Sequence, residues 1–421
     1  MVYRIIGNMT GNSMDAIDLV LTEFDGDKMR DICSFSRPYS KQMQDDMEKL
    51  RASVKNKNKI QIMTLPEFKY IHDEYIKGIA NCINDMCAQN DIDKSAINAI
   101  GFHGKTLDHN PPSKAKKENS QAYTLQIGSG KMLADLTGIT VVYDFRSQPI
   151  MAGFDGAPLV PPHNAHIAVT EGDGCYYNGG NTSNFALIIG GKAQIGADAG
   201  PFNEYIDNFI RNHTDESFDI DGKYGKNGRL NTKLLQNLFD IGRDYYESSL
   251  PKSGDPQFYY KNNVFAAIDA AKLSFADAVH TLEYFAAYIA VQALSLVPKN
   301  IMIPPHFVLF GGGWKNPIVY QSFTELLAGR NFILPEHRES FSNLQQRFTT
   351  KPSVKYSKFG EMMEARLFAD LARYRLENKV WEIPEIIHSG KKIICGVIAK
   401  PQKQRYIYDD MINIAAKGWQ K

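Results

Sequence analysis

Asp198 is set among small residues in the stretch GADAGPFNEYID, residues 196–207. An apolar run at 185–189 precedes it and closes on Gly190-Gly191. Ala197, Ala199 and Gly200 keep the surroundings of the acid clear enough for a ligand to approach the main chain. A carboxylate so placed can act as a general base, anchor a metal, or cap the helix predicted to start near Asn203, because Asp is a favoured N-cap. Gly-rich turns follow short apolar strands at residues 7–13, 179–184, 196–200 and 311–313. Glycine in such a turn lets backbone N–H groups converge on an anion. Two of the turns have an acid close by, Asp15 and Asp198. Neither GxxxxGK[ST] nor GxGxxG stands in a strand–helix context, so a nucleotide site here needs another architecture. Two domains, each giving a turn to the phosphates, would supply one.

The elements that must hold these turns can be read from periodicity. Residues 2–6 and 17–24 predict a hairpin around a long polar turn at 7–15, and a loop of that size marks a ligand site better than a tight turn does. Apolar spacings of three and four predict helices at about 41–51 and 65–90. Residues 96–102 read as a buried strand ending at His103. The segment NPPSKAKKENSQ (110–121) predicts a solvated, basic, mobile loop. Its Lys114, Lys116 and Lys117 are more simply explained by solvation than by phosphate contact. Then come strand TLQIG, helix KMLADLTG closed by Gly138, and strand ITVVYDF. Strands at 175–178, 185–189 and 307–310, a helical block at 230–296 broken near Pro251 and Pro256, and a helix at 360–378 complete the pattern. This alternation implies an α/β fold, and the length implies two domains.

Composition excludes several classes. With 48 basic and 47 acidic residues the net charge is +1, which gives no electrostatic case for nucleic acid or an anionic membrane. The start, MVYRIIGNMTGNSMD, lacks the charged and apolar regions of a signal peptide. The apolar stretch near 286–297 is too short to span a bilayer. Cys33, Cys82, Cys87, Cys175 and Cys395 are odd in number and widely spaced, unlike a disulfide framework or zinc site. A cytoplasmic protein with reduced thiols is expected.

The motifs resemble one family. GNMTGNSMDAID (7–18) is similar to the GxMSGTSxDGxD opening of the anhydro-N-acetylmuramic acid kinases. FHGKTLDHNP (102–111), TLQIGSGKMLADLTGITVVYDFR (124–146), GAPLVP (156–161), NGGNTSN (178–184), DAGPFNEYID (198–207), GGGWKN (311–316) and EARLFADLA (364–372) follow in that family's order. The resemblance implies a two-domain actin-like ATPase fold, ribonuclease H-like in each half, with an interdomain cleft. Residues 1–140 plus about 386–421 would form the first domain and 141–385 the second. It also implies an ATP-dependent phosphotransferase that uses Mg²⁺. In the implied reaction, water opens the 1,6-anhydro bridge while O6 takes the phosphoryl group.

By the same resemblance Asp198 is the base for that water. Gly11, Asn12, Ser13, Met14 and Asp15 would form the first phosphate turn, supported by Asp18, with Asp15 as an indirect metal contact. Gly180 and Asn181 would lie in the second turn. Gly311, Gly312, Gly313 and Asn316 would sit against the adenosine. His103, Thr106, Gln126, Arg146 and Glu364 would line the sugar pocket. The partners implied are a sugar and a nucleotide, with no nucleic acid and no membrane. A homodimer is left open, since no exposed apolar helix marks an interface.

Several ligand-facing positions depart from the family pattern. Lys105 stands where an amide is usual, Ser129 follows the QIG element, and Pro149 replaces an acid. Asp155 falls within the glycine-rich GGQGAPL element, and Phe202 replaces a glycine beside Asp198. Phe202 is expected to narrow the pocket or shift the backbone. Two alternatives therefore stand beside the leading reading: a kinase of another anhydro or ordinary sugar, and a non-catalytic homologue that keeps the ligand sites.

Overall fold

The computed structural model describes all residues except 12, 13, 15, 56, 118, 253–255, 385–388, 403–410 and 417–421. The chain forms two compact units, Met1–His163 with Met362–Lys421, and Asn164–Glu361. The first unit contains strands β1 (Val2–Thr10), β2 (Ala16–Asp25), β3 (Lys28–Pro38), β4 (Ala99–Phe102), β5 (Lys105–Asn110), β6 (Tyr123–Ile127) and β7 (Val141–Tyr143). The second contains β8 (Gly174–Gly179), β9 (Thr182–Ile189), β10 (Lys192–Pro201), β11 (His306–Phe310) and β12 (Ser353–Tyr356). Strands β13 (Val397–Ala399) and β14 (Ile412–Ala416) return to the first unit.

The main sheet of the first unit is ordered β13-β7-β4-β1-β2-β3, and that of the second β10-β9-β8-β11-β12. In the first, β1–β2 and β2–β3 are antiparallel, while β1–β4 and β4–β7 are parallel. In the second, β8–β9 and β9–β10 are antiparallel, while β8–β11 and β11–β12 are parallel. Each unit thus repeats one plan: a three-strand meander extended on the side of its first strand by two parallel strands. This is the actin-like, ribonuclease H-like α/β fold, present twice in one chain. A smaller sheet, β14-β6-β5, completes the first unit.

The predicted domain changeovers at 140/141 and 385/386 differ from the observed ones. Strand β7 pairs in the sheet of the first unit, and the helix Met363–Leu376 covers that sheet. Both segments therefore belong with the N-terminal residues. The fit of this helix is close. A Cβ on Gly7 would lie 2.6 Å from the Ala365 carbonyl carbon, and one on Gly101 would lie 2.5 Å from that of Phe368. On the helix Phe68–Gln89, Ile71, Tyr75, Ile76, Ile79, Ile83 and Met86 recur at helical spacing and are buried. The apolar stripe that predicted this helix is the one it buries. In the second unit the helix Phe275–Ser295 is buried on nearly every face.

Two local expectations change. Strand β1 continues to Thr10, so residues 7–10 belong to the strand rather than to the expected turn. Residues Pro112–Lys117 form a short helix rather than a loop. Proline tolerates a first helical turn, and Asp155 Oδ1 accepts the Ser113 N–H at 2.9 Å as a cap from outside the segment. Gly138 ends the helix Gly130–Thr137 at φ 75°, as predicted. Among the described residues, no helix is long and apolar enough to cross a membrane.

Candidate functional site

In the first unit a basic and acidic cluster forms at the ends of β4 and β7 and at the start of the helix Met363–Leu376. Arg146 Nε donates to His103 Nε2 at 2.8 Å, and Arg146 Nη1 donates to the Gly156 carbonyl at 2.6 Å. A guanidinium can only donate, so His103 accepts at Nε2 and carries its proton on Nδ1. That proton points to the Gly104 carbonyl at 2.9 Å. His103 is buried and its ring stacks on Phe368. Burial, with the Arg146 charge next, holds this imidazole well below its ordinary pKa. Both ring nitrogens are thus engaged, and the neutral ring orients the guanidinium.

Glu364 lies in the first turn of its helix. Burial raises its carboxyl, the Asp18 charge adds to the rise, and Arg146 opposes it. Its accessible surface nevertheless marks it as exposed. Neighbouring protein that displaces part of the hydrating water raises a carboxyl even where solvent still reaches it. Asp18, on β2, accepts from Ser36 Oγ at 2.7 Å. Thr106 and Gln126 face each other in register across β5 and β6. Gln126 Nε2 donates to Thr124 Oγ1 at 2.7 Å and reaches Thr106 Oγ1 at 3.3 Å, while its buried Oε1 has no donor among the described residues.

Of the expected first phosphate turn, Asn12, Ser13 and Asp15 lie outside the described residues. Gly11 and Met14 close it through the Met14 N–H to Gly11 carbonyl bond, 3.2 Å. Lys105, the departure from the family amide, is buried and donates from Nζ to the same carbonyl at 2.9 Å.

In the second unit three of the four glycine-rich turns converge. The N–H of Phe202 donates to the Asn181 carbonyl at 2.8 Å, and that of Asn203 to the Gly180 carbonyl at 3.1 Å. A Cβ on Gly311 would lie 2.5 Å from the Gly179 carbonyl oxygen, and Gly311 has φ 85°, so glycine is required on both counts. Among the described residues other than its chain neighbours, no atom stands within 4 Å of where a Cβ on Gly312 would be, and at Gly180 the nearest is at 3.7 Å. Gly180 and Gly312 are thus the open backbone positions of these turns. The side chain of Asn316 is committed to the scaffold. Its Oδ1 caps the helix Pro317–Leu327 through the N–H groups of Ile318 and Val319, and its Nδ2 donates to Glu283.

Asp198 sits on β10 beside a register shift: Asp198 pairs with Asn184 and Gly200 with Ser183, leaving Ala199 extra. Such a bulge re-aims a side chain and is common beside active sites. Asp198 is half-buried and is not the cap of the following helix, whose N-cap is Phe202 with no side-chain bond. The Asp198 N–H donates to the Lys252 carbonyl at 2.9 Å. Lys252 is buried, with Nζ donating to the carbonyls of Tyr245 (2.8 Å) and Tyr246 (3.0 Å). Burial pushes its pKa down to about 8, and the Asp198 charge works against that fall.

The remaining departures are scaffold residues. Phe202 turns its ring into the core against Trp314, with centroids 4.6 Å apart, rather than into a pocket. Its backbone lies at φ −127° and ψ −91°, and the negative φ does not require glycine. Ser129 caps the helix Gly130–Thr137, and Pro149 is buried in the helix Ser147–Met151. Sequence reasoning missed Lys252, Glu283 and Asp219. A lone glutamate in the apolar run FADAVHTLEYFAAYIAV signals a buried polar group; nothing in the local sequence marks Lys252.

The family model of anhydro-N-acetylmuramic acid kinase matches residues 3–400. An anhydro-N-acetylmuramic acid kinase of Xanthomonas oryzae pv. oryzae (strain MAFF 311018) is 27% identical over 398 residues, covering 93% of this chain and 96% of that protein. One of Vibrio vulnificus (strain CMCP6) is 28% identical over 397 residues, covering 93% and 97%. Among solved structures, the component A of (R)-2-hydroxyglutaryl-CoA dehydratase from Acidaminococcus fermentans aligns with a TM-score of 0.39 and 10% identity, covering 90% and 100%. With nearly its whole length matched by one family model, the chain belongs to the anhydro-N-acetylmuramic acid kinase family.

Proposed function

We propose that the protein is an ATP-dependent kinase that converts 1,6-anhydro-N-acetylmuramic acid and water to N-acetylmuramic acid 6-phosphate. The family match over residues 3–400 carries this reading. The open backbone at Gly180 and Gly312 in the second unit suits a nucleotide, because open glycine positions let backbone N–H groups reach phosphate oxygens. The Arg146, Glu364, Thr106 and Gln126 group suits a polar sugar. His103 acts there through Arg146, holding the guanidinium in one orientation.

In the proposed reaction Asp198 takes a proton from water as the new bond forms at the anomeric carbon. The bond from that carbon to O6 breaks, and O6 attacks the γ-phosphorus as the bond to the ADP oxygen breaks. Transfer is then mainly a matter of positioning and charge neutralisation. Mg²⁺, when bound, neutralises phosphate charge; Asp15, its proposed indirect contact, lies outside the described residues. Incubating the purified protein with Mg·ATP, anhydro-N-acetylmuramic acid and ¹⁸O-water tests this. The expected product gains one phosphoryl group and one labelled oxygen. A panel of anhydro sugars yielding no sugar 6-phosphate would refute it.

A further inference from the structure

Glu283 stands in the middle of the apolar helix Phe275–Ser295 with no exposed surface. Its Oε1 accepts from Asn316 Nδ2 at 2.6 Å. Its Oε2 is buried, and among the described residues no N–H or O–H donor reaches it. What neighbours Glu283 is a second carboxyl, Asp219, itself 5% exposed. Asp219 is well provided with donors: the Tyr224 N–H at 3.0 and 3.2 Å to its two oxygens, and the Gly225 N–H at 2.9 Å. The segment carrying those donors is in direct contact with the glutamate, since a Cβ on Gly225 would lie 2.6 Å from Glu283 Cδ.

Two ionised carboxylates cannot hydrogen-bond, and burying both without a counter-charge is costly. Asp219 faces Glu283 as the other ionisable group. His280, one turn earlier on the same helix, is engaged at Nδ1 with the Gly225 carbonyl at 2.9 Å. One proton on Glu283 Oε2 resolves every term: the orphaned oxygen becomes a donor to Asp219, and Oε1 still accepts from Asn316. The proton is placed on Glu283 Oε2 because both Asp219 oxygens already accept backbone N–H bonds, whereas Oε2 accepts none among the described residues.

We propose that Glu283 is a neutral carboxylic acid that bridges Asp219 to Asn316 and so positions the 311–316 turn for nucleotide. The inference rests on the nucleotide reading of that turn. Asn316 is thereby held at both ends, by Glu283 at Nδ2 and by the helix Pro317–Leu327 at Oδ1. Burial, with Asp219 adding to it, pushes the Glu283 pKa up to about 9. The bridge therefore persists at neutral pH and breaks in alkali.

The test uses the full chain and the variants Glu283→Gln and Glu283→Met. Glutamine reproduces the neutral acid, donating to Asp219 and accepting from Asn316; methionine does neither. In the wild type, infrared spectra at pH 7 should show a protonated-carboxyl band that Glu283→Gln lacks. Calorimetric titration with Mg·ATP should show wild-type affinity falling about tenfold from pH 7 to 10, the size of one lost hydrogen bond. Glu283→Gln should hold its affinity across that range, and Glu283→Met should be about tenfold weaker at pH 7. KM for the sugar should change less than about twofold in each. A wild type without the band, or Glu283→Gln as weak as Glu283→Met, overturns the proposal. If Glu283→Met does not fold, the band and the glutamine pH profile decide. Failure of ATP to bind the wild type sinks the nucleotide reading and the positioning role with it, whereas the band alone still decides the neutral acid.

Discussion

Adding one methyl group at Gly101 should disable sugar handling without touching any polar residue. Gly101 lies on β4, and its missing side chain lets the helix Met363–Leu376 rest directly on the sheet. A Cβ there would stand 2.5 Å from the Phe368 carbonyl carbon, against a comfortable carbon–carbon separation of about 3.5 Å. Backbone on both sides offers no rotamer by which to yield, so the helix must move by about 1 Å. Overpacking of this kind costs about 1–3 kcal/mol of stability. The same helix carries Glu364 in its first turn and stacks Phe368 on His103. Misplacement by 1 Å at a site costs on the order of 100-fold in rate, so Gly101→Ala should lose about that factor in kcat/KM for the sugar. Gly78→Ala makes the same chemical change on the helix Phe68–Gln89, where the nearest atom would be 3.8 Å away. That control should gain about 0.5–1 kcal/mol and keep full activity. Denaturant melts and steady-state kinetics on both variants give the comparison. A folded Gly101→Ala protein with wild-type sugar kinetics would refute the claim that helix seating sets the position of Glu364.

Three further outcomes are expected. Asp198→Asn should lower kcat by about 10²–10⁴ while KM for ATP stays within about twofold, as removal of a general base does; a rate within tenfold of wild type would remove it from that role. Arg146→Lys should raise KM for the sugar about tenfold, because an ammonium cannot hold both His103 Nε2 and the Gly156 carbonyl in the planar geometry of a guanidinium. Unchanged KM would place the guanidinium outside the sugar pocket. Lys252 has its pKa depressed from 10.5 to about 8, so its stabilising contribution is present above 10.5 and is lost as pH falls through 8. The span of about 2.5 units corresponds to about 3 kcal/mol at 1.36 kcal/mol per unit. Wild-type stability should accordingly rise relative to Lys252→Met between pH 8 and 10.5 in denaturant melts, and parallel pH profiles would contradict the burial of that amine.

The α/β class and most elements are legible in the sequence because they rest on local rules. Apolar spacing along residues 68–89, the C-cap glycine at 138, and the ordered motifs from residue 7 to 372 all keep their meaning without a partner. The domain boundaries were not legible, because which sheet claims β7 or the helix Met363–Leu376 is decided by pairing with distant residues. The same holds for the departures from the family pattern. As a string, Phe202 looks like an obstruction beside the base, yet in the fold its ring fills the core against Trp314.

What the sequence determined by itself is the inventory: which side chains can ionise, which positions can turn, and which family the order of motifs belongs to. Tertiary structure alone decided the states of those side chains. His103 is neutral with its proton on Nδ1 because the Arg146 guanidinium, 43 residues away in the chain, claims its Nε2 and leaves Nδ1 to the neighbouring Gly104 carbonyl. Glu283 and Lys252 are shifted because each is buried by the fold, with Asp219 and Asp198, distant in the chain, as their respective charged neighbours. Charge is fixed by surroundings, and surroundings are a property of the folded chain.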